Sequence, residues 1–124
     1  MTSAEAPALI YRRHLQNGKL SYQRCADCSA AVFYPRVLCP VCGSGALDWR
    51  ESGGRGTVYA TTAVHSRDRD PRNVVLVDLD EGFRMMSRVE GIPAEEVKIG
   101  ARVRFEVRQG EEGEPVAVFV LEGN

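Results

Sequence analysis

Cys25-Ala26-Asp27-Cys28, ten further residues, and then Cys39-Pro40-Val41-Cys42-Gly43 form the stretch whose reading decides the fold. Each CxxC folds into a tight knuckle that points two thiols the same way, so two such pairs on neighbouring hairpins can surround one ion tetrahedrally. Gly43 strengthens the pattern. A residue free to take positive φ lets backbone N–H groups turn toward the sulfurs. Ser29 holds the matching place after the first pair, a small departure from that form. A closed set of four thiolates leaves no open coordination position, so a zinc ion held there is expected to be structural. The competing readings are a redox dithiol, a pair of disulfides and an iron centre. The absence of thioredoxin-like βαβ text weighs against the first.

Upstream of the cysteines, Ala8, Tyr11 and Leu15 fall at i, i+3 and i+7, predicting an amphipathic helix over 8–16 with Gly18 as its stop. Leu20 and Tyr22 alternate with polar residues, and Val32, Phe33 and Tyr34 form a second β-prone run, both suited to the arms of a ribbon. Downstream, Gly53, Gly54 and Gly56 mark a turn or hinge. This divides the chain into a helical segment (1–18), a ribbon (19–52) and a barrel (53–124).

Beyond the hinge the text is strand and turn. Strands are predicted over 57–65, 73–79, 83–89, 103–107 and 115–121. A polar loop is expected over 67–72, a tight turn at Asp80-Glu81-Gly82 and one helical turn at Pro93-Ala94-Glu95-Glu96. Five strands with the single helical hint between the third and fourth match an OB-fold, a five-stranded Greek-key barrel, with an SH3-like barrel as the nearest competitor. The fold class is therefore mainly β: a helix and zinc ribbon followed by a five-stranded OB-fold.

The 124 residues carry a formal net charge of −1 with both signs interspersed. That balance supplies no general attraction for phosphate backbones and counts against a nucleic-acid binder, although ribbons and OB-folds elsewhere bind polynucleotides. Arg12, Arg13 and His14 interrupt any apolar run near the N-terminus, and no segment reaches membrane-span length. A cytoplasmic location without membrane partners is the expectation, and reducing conditions there favour metal ligation over disulfides.

An enzyme acting alone needs an acid, a base or a nucleophile, and the non-cysteine residues offer poor candidates. His14 and His65 stand near no recognisable nucleophile motif. Asp78, Asp80 and Glu81 read as an acid-rich hairpin turn. No catalytic residue is assigned.

Several pieces of text occur together in one order: Gly18-Lys19-Leu20, Gln23-Arg24-Cys25, Phe33-Tyr34-Pro35-Arg36, the second CxxC, Trp49, Gly54-Arg55-Gly56-Thr57-Val58, the run from Val75 to Gly82, and Ile99-Gly100-Ala101-Arg102-Val103. In this the chain resembles the acyl-CoA-associated proteins that join a rubredoxin-like zinc ribbon to an OB-fold, long catalogued as a domain of unknown function. That family often has proline where this chain has Tyr34 and glycine where it has Ser29. The resemblance implies a non-catalytic accessory subunit in a hetero-oligomer of acyl-CoA and lipid metabolism. Its partner would be a thiolase-like condensing, thiolytic or aldolase enzyme, or a hydratase, with CoA or acyl-CoA as a ligand shared across the complex. Guanidinium groups grip phosphates in bidentate fashion. On that ground Arg36, Arg50 and Arg55 are the candidate CoA contacts, and Cys25, Cys28, Cys39 and Cys42 the metal ligands.

Overall fold

The computed structural model of the chain describes residues 6–122. It begins with α1 (Pro7–Gln16), which has proline in its first turn and Arg13 in its last, where a positive charge favours the helix dipole. Gly18 ends it at φ +79°, with Gly18 N–H donating to Leu15 O (2.9 Å) and Lys19 N–H to His14 O (2.9 Å). That pair of bonds is a Schellman cap, which satisfies carbonyls the helix leaves open. Tyr11 and Leu15 are the buried face, as their spacing predicts.

The ribbon is a three-stranded antiparallel sheet in the order β2-β1-β3, made of β1 (Ser21–Cys25), β2 (Ala31–Val32) and β3 (Leu47–Glu51). β3 is a strand that the sequence reading did not anticipate. It forms because five of its residues pair in register with β1, from Ser21↔Glu51 to Cys25↔Leu47.

The barrel sheet runs β6-β5-β4-β8-β9-β7, with β4 (Arg55–Ser66), β5 (Arg69–Leu79), β6 (Arg84–Ser87), β7 (Val89–Glu90), β8 (Arg102–Gln109) and β9 (Pro115–Leu121). Its two ends, β6 and β7, are consecutive in the chain, and a 3₁₀ turn at Ala94–Glu96 follows them. Two expectations are corrected here. The polar loop over 67–72 shrinks to a turn at Arg67-Asp68, because β4 and β5 continue pairing out to Ser66↔Arg69. The strand expected over 83–89 divides at Arg88, whose carbonyl turns aside to accept from Phe119 N–H (2.9 Å). β7 then pairs parallel to β9.

Of the glycines at the hinge, two have structural reasons. Gly54 takes φ +78°. At Gly56 a Cβ would stand 2.6 Å from Asp78 O and 2.8 Å from Val77 Cγ1, so β4 can approach β5 this closely only without a side chain.

One hydrophobic core joins the three parts. Tyr11 and Leu15 of the helix, Leu20 and Tyr22 of the ribbon, and Val58, Val75, Val77, Phe83, Val103 and Phe119 of the barrel belong to a single buried cluster. Each such side chain contributes about 1.5–3 kcal/mol when fully buried. Phe83 is central to the join, stacking on Tyr22 (centroids 4.8 Å) on one side and on Phe33 (5.1 Å) on the other. A smaller cluster of Cys25, Val32 and Cys39 lies within the ribbon.

Candidate metal centre

The two cysteine knuckles are built alike from backbone bonds. Cys25 N–H donates to Ala30 O (2.9 Å) and Ser29 N–H returns to Cys25 O (2.9 Å). In the second knuckle Cys39 N–H donates to Ser44 O (2.8 Å) and Gly43 N–H returns to Cys39 O (2.8 Å). Both turns need a left-handed residue at the same place, Gly43 at φ +80° and Ser29 at φ +67°. Ser29 thus performs glycine's conformational task with a Cβ attached. The knuckles are tied together by Ala26 N–H to Ala46 O (2.8 Å) and by Ser44 Oγ–H to Asp27 Oδ2 (2.5 Å).

All four sulfurs lie within 4.8 Å of one another. Cys25 Sγ is 3.6 Å from Cys42 Sγ, and Cys28 Sγ is 3.7 Å from Cys39 Sγ. A tetrahedron of thiolates at the usual Zn–S bond length of about 2.3 Å has edges of about 3.8 Å, so the spacing fits a closed four-sulfur site. Disulfide bonding, at about 2.05 Å, does not describe these contacts. Cys25 and Cys39 are buried while Cys28 and Cys42 face solvent. Backbone N–H groups of Cys28 and Asp27 hold the Cys25 thiol below its ordinary value, and those of Cys42 and Val41 bring Cys39 down to about 7. The backbone donors at Cys28 and Cys42 are outweighed by burial and the neighbouring sulfurs, which raise Cys28 and push Cys42 up to about 12, so that four thiolates this close need a cation among them. Donors aimed at sulfur favour the thiolate that binds metal.

Around this centre three polar side chains fix the ribbon. Gln23 is buried and clamps the backbone of Arg36 twice, accepting from Arg36 N–H at 2.7 Å and donating to Arg36 O at 2.9 Å. Arg24 donates to Ser29 O in the first knuckle (2.9 Å) and to Glu81 O in the barrel (3.2 Å). Glu81 accepts from Ser52 Oγ (2.7 Å) and from Gly53 N–H (2.8 Å). The acidic turn is therefore a clasp between ribbon and barrel. Sequence reading assigned none of these three roles, although Gln23, Arg24 and Glu81 all stand in stretches that carry the family resemblance.

The other acids of that turn are also engaged. Asp78 is bonded bidentately by Arg84 (2.5 and 3.1 Å) and Asp80 by Arg102 (both 2.9 Å). These guanidinium groups hold both carboxyls below their ordinary value. His14 Nδ1 lies 2.7 Å from Ser21 Oγ, with its ring edge against Trp49, and His65 stands exposed on β4. Burial pushes the Tyr11 phenol up.

The three arginines of interest stand apart. Arg36 borders a hollow with Tyr34, Pro35, Val37 and Leu38. Arg50 borders another with His14, Lys19, Ser21, Trp49 and Glu51. Arg55 pairs with Glu122 at 3.3 Å. No two of them line one of these hollows. Among the described residues, no helix is long and apolar enough to cross a membrane.

A ribbon with four convergent cysteines, followed by an OB-fold, defines a two-part class of zinc-ribbon/OB-fold proteins. The ChsH2 rubredoxin-like zinc ribbon model matches residues 12–48 and the ChsH2 C-terminal OB-fold model residues 49–108, and the chain belongs to this family. It is 36% identical over 89 residues to a probable enoyl-CoA hydratase alpha subunit of Thermomonospora curvata, covering 68% of this chain but only 28% of that protein. It is 29% identical over 110 residues to a DUF35 domain-containing scaffold protein of Methanothermobacter thermautotrophicus, covering 82% and 83% of the two. Among solved structures, a chain of the Ltp2-ChsH2(DUF35) aldolase superposes with a TM-score of 0.81 at 27% identity, covering 98% of each chain. A DUF35 protein of Sulfolobus solfataricus shares the fold, with a TM-score of 0.70 at 15% identity.

Proposed function

We propose that this chain is a non-catalytic accessory subunit of an acyl-CoA-processing complex, held together by a structural zinc on Cys25, Cys28, Cys39 and Cys42. The observation that carries this reading is the likeness, over 98% of both chains, to a chain of an aldolase complex. The names of a hydratase subunit and a scaffold protein among the relatives support it. The partner in this reading is a thiolase-like condensing, thiolytic or aldolase enzyme, or a hydratase, and it supplies the acid, base or nucleophile. When bound, the metal supplies cross-linking of the two knuckles and no reactive position. Helix (1–18), ribbon (19–52) and barrel (53–124) act as the working units.

The shared CoA channel belongs to the same reading. Of the three candidate arginines, Arg50 is best placed for a nucleotide phosphate, because a second cation, Lys19, and an aromatic ring, Trp49, border the same hollow and the two cations outnumber its one carboxylate, Glu51. Arg55 is occupied by Glu122, and Arg36 lies in apolar surroundings.

The test is affinity purification of the tagged chain from its own cells, with the co-purifying proteins identified by mass spectrometry and metal measured in the same sample. A thiolase-fold, aldolase or hydratase subunit in fixed ratio, with about one zinc per chain, is the expected result. Recovery of nucleic acid or of translation proteins in its place would overturn the proposal, and a coloured sample would replace zinc by iron.

A further inference from the structure

The segment between the two knuckles, together with the tip of the second knuckle, exposes apolar side chains that the fold leaves uncovered. Tyr34 is 52% exposed, Val37 72%, Leu38 56% and Val41 72%. Tyr34 also borders the hollow beside α1 that contains Leu9 and Arg12, so the apolar surface continues onto the helix. An exposed apolar surface of this continuity marks an interaction site more often than chance exposure.

Two properties say what covers it. First, from Ser29 to Ala46 the sequence contains one charged residue, Arg36, and no carboxylate. Arg12 and Arg36, the cations beside this apolar surface, have no ion-pair partner among the described residues, as is also true of Arg67, Arg72 and Lys98 on the barrel. The metal site with four thiolates is itself anionic, so only the two guanidinium groups of Arg12 and Arg36, free of partners among the described residues, are left to meet carboxylates around an apolar socket. Second, the loop is held before any partner arrives. Gln23 clamps its start by two backbone bonds, and Cys39 and Cys42 fix its end in the second knuckle. A preorganised apolar loop loses little entropy on docking, which is how a few anchors dominate an interface.

We propose that the inter-knuckle loop 34–41, with Leu9 and Arg12 of the helix beside it, is the docking face for the enzyme subunit, received by an apolar socket rimmed with carboxylates. This rests on the accessory-subunit reading and adds to it the surface and the chemistry of the partner's site. The hollow bordered by Lys19, Trp49 and Arg50 is left free to face the ligand.

The experiment compares Val37→Asp/Val41→Asp with Ile99→Asp, an equally exposed barrel position, for binding to the enzyme subunit that co-purifies with the parent chain. Metal content is held at the parent value in all three. The paired change should weaken binding about a hundredfold, consistent with loss of two anchors, and Ile99→Asp should leave it unchanged. Arg36→Glu should weaken association further as ionic strength is lowered. Binding by the paired variant within about threefold of the parent would overturn this docking face while leaving the accessory role intact. Loss of self-association with enzyme binding preserved would overturn it in favour of a contact between copies. Failure of any enzyme subunit to co-purify would overturn both.

Discussion

Ser29 shows how a single residue's backbone state can be at odds with its chemistry. The first knuckle demands the left-handed region at that position, as the second does at Gly43, and an L-residue with a Cβ gives up about 1 kcal/mol there. The backbone carbonyl of Ser29 receives Arg24, a bond that any residue keeps. Ser29→Gly should therefore raise the unfolding free energy of the metal-loaded protein by about 1 kcal/mol, read as a higher urea midpoint at unchanged slope. A midpoint that stays or falls would mean that the serine side chain contributes more than its strain costs. The departure at Ser29 was visible in the sequence as a missing glycine. Its strain was not, because φ is fixed by the bond between Ser29 N–H and Cys25 O.

Among the elements, legibility followed the range of the forces involved. The helix was readable because Tyr11 and Leu15 announce their shared face at helical spacing, and β9 because Pro115 to Leu121 is a β-prone run after the turn at 110–114. β3 carried only a faint signal: Leu47 and Trp49 alternate with Asp48 and Arg50, but so short a run becomes a strand only by pairing with β1. The split of β6 from β7 depends on Phe119, and the clamp of Gln23 on Arg36 spans 13 residues. The barrel turn offers a test at this scale. Asp80 is held below its ordinary pKa by Arg102, so its contribution to stability is complete above the unfolded value of about 3.9 and is lost as pH falls through the lowered folded value. Asp80→Asn should lower the urea midpoint at pH 7, and the gap to the parent should narrow as pH falls below the unfolded value toward the lowered folded one. Acid also strips metal from thiolates, but it does so in both proteins, and the difference between them isolates the carboxylate. A gap that persists unchanged into acid would exclude the ion pair as its source.

Across the whole molecule, the ribbon and barrel share more than a linker. Phe83 lies between Tyr22 and Phe33, Arg24 reaches the Glu81 carbonyl, and Glu81 holds Ser52 and Gly53. Melting the ribbon would therefore strip the barrel of stacked aromatic contacts and break the clasp that carries its first strand. Metal bound at the knuckles should consequently stabilise residues far from it, by several kcal/mol in total. Cys39→Ser, or a zinc chelator, should lower the melting temperature in one transition, with Trp49 fluorescence on the ribbon and the far-ultraviolet strand signal of the barrel moving together. If the strand signal keeps its midpoint while Trp49 loses its environment early, the aromatic stack is too weak to couple the two parts and the barrel folds on its own. Coincident loss would instead explain why so small a ribbon is held against a barrel: one metal site then sets the rigidity of both the segment between the knuckles and the barrel strands.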